Sequence, residues 1–287
     1  MGQPLAVLHW LTDPLGSQLI VRAVAELALL GIVSGALGCW LIFSGLSYSA
    51  ESLAHGMFPG LVVAALLGVP LVVGGAAGLL VAALAIAAVG RVPRLDGEVA
   101  VAVVISTLFG LGVLLGLAPA TPAGLGDLLF GNVLGATDAD LVLAGVLGIV
   151  VTGTLAVLHP TMLAVGFDRR GAAALGHSAG AVDVVLGVLL AAATLVAVSA
   201  LGNLLVVAIL VAPAATARLL THRMRTMMVL ATGIAVAASI AGLYASYYAD
   251  IAAGAAVTAT LAGGFLMVLA VVQIRPPARA VPSGGGR

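Results

Sequence analysis

The chain has 287 residues, of which 62% are hydrophobic and only 8% charged, with zero formal net charge and one cysteine. Soluble domains carry about 25% charged residues, so this composition excludes an ordinary soluble fold and points to a polytopic, all-α membrane protein. The neutral balance gives nucleic acid nothing to bind, and the lone Cys39 excludes both an internal disulfide framework and a multi-cysteine metal cluster.

Residues 1–18 contain Asp13 and two prolines but no basic cluster ahead of an apolar core. They read as an interfacial segment, with Trp10 near the headgroups, and not as a signal peptide. A transmembrane domain is expected over 19–273, and a disordered cytoplasmic tail rich in Pro and Gly over 274–287. A span takes ~20 mostly apolar residues. Candidates are 19–43, 51–69, 71–90, 99–118, 140–158, 179–200, 203–219, 226–246 and 250–273. Pro213 interrupts the seventh of these and predicts a broken helix, so eight or nine crossings are expected. All basic residues are arginines, clustered at Arg91/Arg94, Arg169/Arg170, Arg218/Arg223/Arg225 and Arg275/Arg279. With nine spans all four clusters share one side, which the positive-inside rule makes cytoplasmic, and the N-terminus lies outside. Eight spans place the N-terminus inside.

Glu51 and His55 are the outstanding pair. They lie four residues apart in Glu51-Ser-Leu-Ala-His55-Gly-Met-Phe-Pro59-Gly60, at the head of an apolar run. Positions i and i+4 share a helix face, and ionisable groups inside a span usually mark a pathway. A carboxylate and an imidazole together suit a divalent transition metal. The bland alternative is a helix cap with a satisfied interfacial histidine. Between the fifth and sixth candidate spans, Asp168 is a good N-cap and Gly176 a good helix stop. A short helix is expected there, too short and too charged to cross. Asn203 and Pro213 interrupt an apolar stretch, either for packing or because they line a pathway. Asp250 most simply caps a span end at the outer face, with a place at the pathway mouth as the other reading. His159, His177 and His222 read as residues of cytoplasmic turns, and Asp183 as interfacial. For Glu26 the sequence leaves open whether it faces a partner helix or the pathway.

Five stretches together resemble the membrane permease of ABC-type metal-ion importers, which take up zinc, manganese or iron. They are Glu51–Gly60, Leu129–Gly135, Phe167–Gly176, Ala208–Arg218 and Gly242–Asp250 with Gly254. The match runs in order across roughly 20–272. The family has Asp more often than Glu at the position of Glu51, and the extra methylene alters the reach of the carboxylate. The resemblance implies a metal contact at Glu51 and His55. It also implies an ATPase-coupling helix carried by Phe167, Asp168, Arg169, Arg170 and Gly176. Asn203, Pro213 and Asp250 are pathway candidates. No resident cofactor is expected beyond the transported ion. A chain without lysine cannot form the Gly-rich ATP loop ending in Lys-Ser/Thr, so hydrolysis belongs to a separate ATPase subunit. The other implied partners are an extracytoplasmic metal-binding protein, a second permease copy and membrane lipid, in a prokaryotic plasma membrane with the C-terminus cytoplasmic. A stand-alone proton-coupled metal carrier is the rival reading. It too would use Glu51 and His55, but it has no use for a coupling helix.

Overall fold

The computed structural model describes residues 13–89, 97–118, 131–203 and 205–274. Within them the regular structure is helical: α1 Gln18–Phe43, α2 Ser47–Leu67, α3 Leu71–Val89, α4 Gly97–Gly116, α5 Asp138–Phe167, α6 Arg169–Ala174, α7 Ala179–Leu201, α8 Val206–Leu220, α9 Met224–Ala249 and α10 Ala253–Ile274. Short 3-10 turns cover Pro14–Gly16 and Val133–Gly135. The basic residues Arg91, Arg94, Arg275 and Arg279, most of the N-terminal segment and the tail beyond Ile274 lie outside the described residues, as do Leu128–Phe130.

Among the described residues, five helices are long and apolar enough to cross a bilayer: α1, α5, α7, α9 and α10. Four more carry shorter apolar stretches, at Glu51–Leu67, Leu71–Ile86, Val101–Gly116 and Val206–Leu220. Large side chains such as Leu84, Leu114, Ile149, Val157 and Leu266 stand exposed on the outer faces. In water such a surface would aggregate, whereas in hydrocarbon it costs nothing.

α1 is the hub. Its most apolar stretch is 72% buried, against 17% in α5 and in α10. Small residues let neighbours reach its backbone, the usual device where lipid supplies no hydrophobic drive between helices. A side chain at Gly38 would strike the Leu210 carbonyl, and one at Gly35 the backbone of Thr232. Those contacts pack α8 and α9 against α1. On another side, Trp40 meets His159 edge-on at a centroid separation of 5.3 Å, and Phe43 meets Phe167 at 5.7 Å. Arg22 pairs with Asp138 at 2.9 Å at the other end. α1 and α5 therefore run parallel. The described arginines other than Arg22 gather at the Phe43–Phe167 end, so two of the expected basic clusters share a side.

Two boundaries differ from expectation. α5 does not stop at 158 but continues through Pro160 to Phe167, so His159 is a helix residue and not part of a turn. The aromatic contacts with α1 hold those last turns in place. α8 is unbroken at Pro213. The chain leaves helical geometry earlier, between Leu201 and Val206. Gly202, with φ of 77°, takes a backbone conformation that residues with a side chain rarely adopt.

Candidate functional site

α2 begins at Ser47, so Glu51 and His55 stand on its second and third turns, with no acidic residue in its first turn. The cap reading of Glu51 fails on that register. Glu51 is exposed and His55 half-buried. One turn beyond His55 comes Pro59, inside the helix. Proline has no N–H to donate, so the His55 carbonyl, four residues back, loses its helical partner. A second oxygen donor beside the imidazole thus lacks its regular helical partner. Phe109 of α4 covers the ring, with centroids 4.8 Å apart, and packs on Phe58 at 5.4 Å. α2 can lie this tightly among its neighbours because Gly56 and Gly60 face Ala82 and Gly78 of α3.

The break after α7 brings Asn203 to the same place. Its side-chain nitrogen Nδ2 lies 3.3 Å from His55 Nδ1, across 148 residues of sequence. Asn203 is 0% exposed, and its Oδ1 is buried without a partner. Amide oxygen and nitrogen are interchangeable at the level of heavy-atom positions. With the amide turned, Oδ1 accepts from Nδ1–H, and the Nε2 lone pair is left for a metal. This is the outer contact that ligating histidines usually have. Residues 131–135 belong to the same construction; the rest of the Leu129–Gly135 stretch lies outside the described residues. Gly131 packs on Ala200 and Gly202 at the break, and Asn132 Oδ1 accepts from the Gly135 N–H at 3.0 Å.

The other two pathway candidates have different settings. Pro213 is buried in α8, where the adjoining Ala214 faces Gly38 of α1. That is a packing position, ten residues along from Asn203. Asp250 ends α9 in a left-handed conformation, φ 53°, on an exposed turn. It fits the cap reading. No group of three or more His, Cys, Asp or Glu side chains is placed to hold a metal among the described residues. Any ion at His55 therefore draws on amide, carbonyl or water oxygens as well. Cys39 is remote from this chemistry; its thiol donates to the Gly35 carbonyl at 3.2 Å inside the packed core.

The short helix predicted after Phe167 forms as α6. Asp168 caps it by accepting from the Arg170 N–H at 3.0 Å. Gly176, with φ of 84°, closes it: its N–H bonds the Ala173 carbonyl, and the His177 N–H bonds the Ala172 carbonyl. That is a Schellman stop. Arg169 makes a two-pronged pair with Asp183 of α7, at 2.8 and 3.0 Å. The pair links α6 to α7. Reading Asp183 as merely interfacial missed this role, and only its charge opposite Arg169 signalled it. Phe167 and Leu175, 81% and 76% exposed, flank α6 as apolar points on a charged surface.

The family model described as the ABC 3 transport family matches residues 17–272. The chain belongs to that family. It is 34% identical over 235 residues to the manganese transport system membrane protein MntC of Listeria monocytogenes, covering 82% of this chain and 84% of that one. It is 32% identical over 248 residues to the chelated iron transport system membrane protein YfeC of Yersinia pestis, covering 86% and 84%. Among solved structures, PsaBC from Streptococcus pneumoniae in complex with Fab is similar at a TM-score of 0.84 and 27% identity, covering 92% of this chain and 95% of that one. The resemblance read from the five sequence stretches is thereby borne out. This family member is an all-helical, multi-pass membrane protein of a transport family, and its named relatives serve manganese and iron transport systems.

Proposed function

We propose that this chain is the permease of an importer for a divalent transition metal, driven by a separate ATPase. The observation that carries the reading is the meeting of His55 and Asn203 inside the bundle, one turn from Glu51 on the same face. One imidazole, one carboxylate and amide or carbonyl oxygens make an oxygen-rich, incomplete first shell. Such a set accommodates manganese, iron and zinc alike, and the manganese and iron systems of the named relatives favour those two ions. Incomplete coordination suits a conduit, because the ion must also leave.

In this reading the nine apolar helices are nine spans, with the N-terminus outside and the arginine-rich end cytoplasmic. α6 lies on the cytoplasmic face. Its exposed Phe167 and Leu175 and its link to α7 through Arg169–Asp183 equip it to seat in an ATPase and pass closure to the bundle. A proton-coupled carrier has no need of such an element. A second copy of the chain completes the translocation pathway, and an extracytoplasmic binding protein delivers the ion. Alternating access then opens the His55 site first to one side and then to the other.

The test is uptake in cells carrying the complete importer with Glu51→Ala or His55→Ala. Both variants should assemble with the ATPase and lose accumulation of manganese. Normal uptake in both would remove the site assignment.

A further inference from the structure

A cavity of about 600 Å³ opens at the α6 end of the bundle, between the last turns of α5 and the α8–α9 turn. Arg218, Arg223 and Arg225 line it together with His222, and Phe43 and Phe167 form its apolar wall. No carboxylate lines it, and none of the three arginines has an ion-pair partner among the described residues. By contrast Arg169 and Arg22, at other places on the bundle, each have one. The first turn of α9 faces the same space through Met224, Arg225 and Thr226, and its N-cap, Arg223, makes no capping bond. The free N–H groups of that turn add to the positive field.

At His159 the basic cavity adjoins a second hollow of about 310 Å³ that runs along the spans. Ile32 and Ala36 of α1 floor this groove, Leu155 and Ala156 of α5 form one wall, and Met228 and Val229 of α9 form the other. α5 and α9 both pack on α1, and the groove is the gap left between them. Val229 is 74% exposed, so the groove opens outward toward lipid. Its lining is apolar apart from Thr152, Thr232 and His159, and Thr152 already donates to the Gly148 carbonyl at 2.6 Å.

We infer that these two hollows form one binding site for an anionic phospholipid, with the phosphate among Arg218, Arg223 and Arg225 and an acyl chain in the groove between α5 and α9. A free phosphate would use the first hollow only; the apolar groove that meets it at His159 argues for the lipid. Uncompensated arginines at the end of membrane helices attract anionic headgroups, and a guanidinium fork matches a phosphate's oxygens. The site borders α6, so its occupant would brace the aromatic contact of Phe43 with Phe167. This inference is independent of the metal reading.

The experiment uses the full chain in mild detergent. It is titrated with phosphatidylglycerol, with phosphatidylcholine of the same acyl chains, and with glycerol 1-phosphate, and binding is followed by native mass spectrometry. Phosphatidylglycerol should be retained at least about tenfold more strongly than the other two, as charge and chain act together. The triple change Arg218→Gln, Arg223→Gln, Arg225→Gln should weaken it about a hundredfold, since three basic contacts are lost. Ala156→Trp, at an exposed position of α5 in the groove wall, should weaken the lipid while sparing glycerol 1-phosphate. Equal retention of the two lipids would reduce the site to ordinary annular contact and overturn the proposal. Glycerol 1-phosphate binding as tightly as phosphatidylglycerol would overturn it in favour of a soluble anion. Ala156→Trp with unchanged phosphatidylglycerol retention would overturn the groove's part. If the triple variant loses its ATPase yet keeps the lipid, the arginines serve the partner protein and the proposal falls.

Discussion

Replacing Asn203 separates a packing role from a metal-site role. Asn203 is fully buried, and its side-chain hydrogen bond among the described residues is the 3.3 Å approach to His55. Asn203→Leu removes that hydrogen bond, whose net worth to stability is about 1 kcal/mol. It also removes the other end of the amide, which is buried without a partner, and this offsets part of the loss. The thermal midpoint of the purified chain should therefore move by only a few degrees. The effect on metal is larger. Losing the group that orients a ligating histidine costs about 10- to 100-fold in metal affinity, roughly 1.4–2.8 kcal/mol. Asn203→Asp keeps the shape and an oxygen that accepts from Nδ1–H, and should recover most of the binding. The assay is a manganese isotherm on the detergent-purified complex, paired with the apparent KM for uptake in proteoliposomes. Full metal affinity in Asn203→Leu, or Asn203→Asp no better than Asn203→Leu, would refute the orienting role. A collapse of the midpoint in both variants would show that Asn203 is a packing residue.

The coupling helix and the helix contacts yield further predictions. Asp183→Asn should cost less than about 1 kcal/mol of stability, because the Arg169–Asp183 side chains are 57% and 38% exposed and such pairs are weak. It should nevertheless lower metal transported per ATP hydrolysed, and the swap Arg169→Asp with Asp183→Arg should restore it; unchanged stoichiometry in Asp183→Asn would count against that link's role in coupling. Leu175→Asp places a charge on an exposed apolar point beside α6 and should weaken co-purification of the ATPase without altering the thermal midpoint of the isolated permease. Gly38→Val drives a side chain into the Leu210 carbonyl. It should cost about 1–3 kcal/mol by overpacking, read as a lower midpoint and poor expression, and a variant as stable as the parent would mean that α1 and α8 do not approach as described.

Several features were legible in the sequence because their causes are local. Asp168 and Gly176 bound a helix by the bonds their own neighbourhood makes, and α6 forms between them. The pairing of Glu51 with His55 follows from helical spacing once α2 is a helix. The apolar runs announce membrane helices because a bilayer demands ~20 hydrophobic residues per crossing, whatever packs beside them. Pro213 misled for a related reason. Proline forbids one backbone bond, but neighbouring helices can hold the rest of the turn, and here α1 does so through Gly38. Pro160 behaves alike, with the Trp40–His159 and Phe43–Phe167 contacts keeping α5 helical to its end.

Composition and spacing alone determined that this chain is an all-helical membrane protein, that Glu51 and His55 share a helix face, and that a capped charged helix follows Phe167. Each rests on bonds or solvent preferences within a few residues. Only the tertiary structure decided that Asn203 meets His55, that Asp183 pairs with Arg169, and that Pro213 lies inside an unbroken helix. Those facts depend on which helices lie side by side. Side-by-side placement is set by small residues meeting backbones across more than a hundred positions, as Gly38 meets Leu210, and no local pattern carries that information.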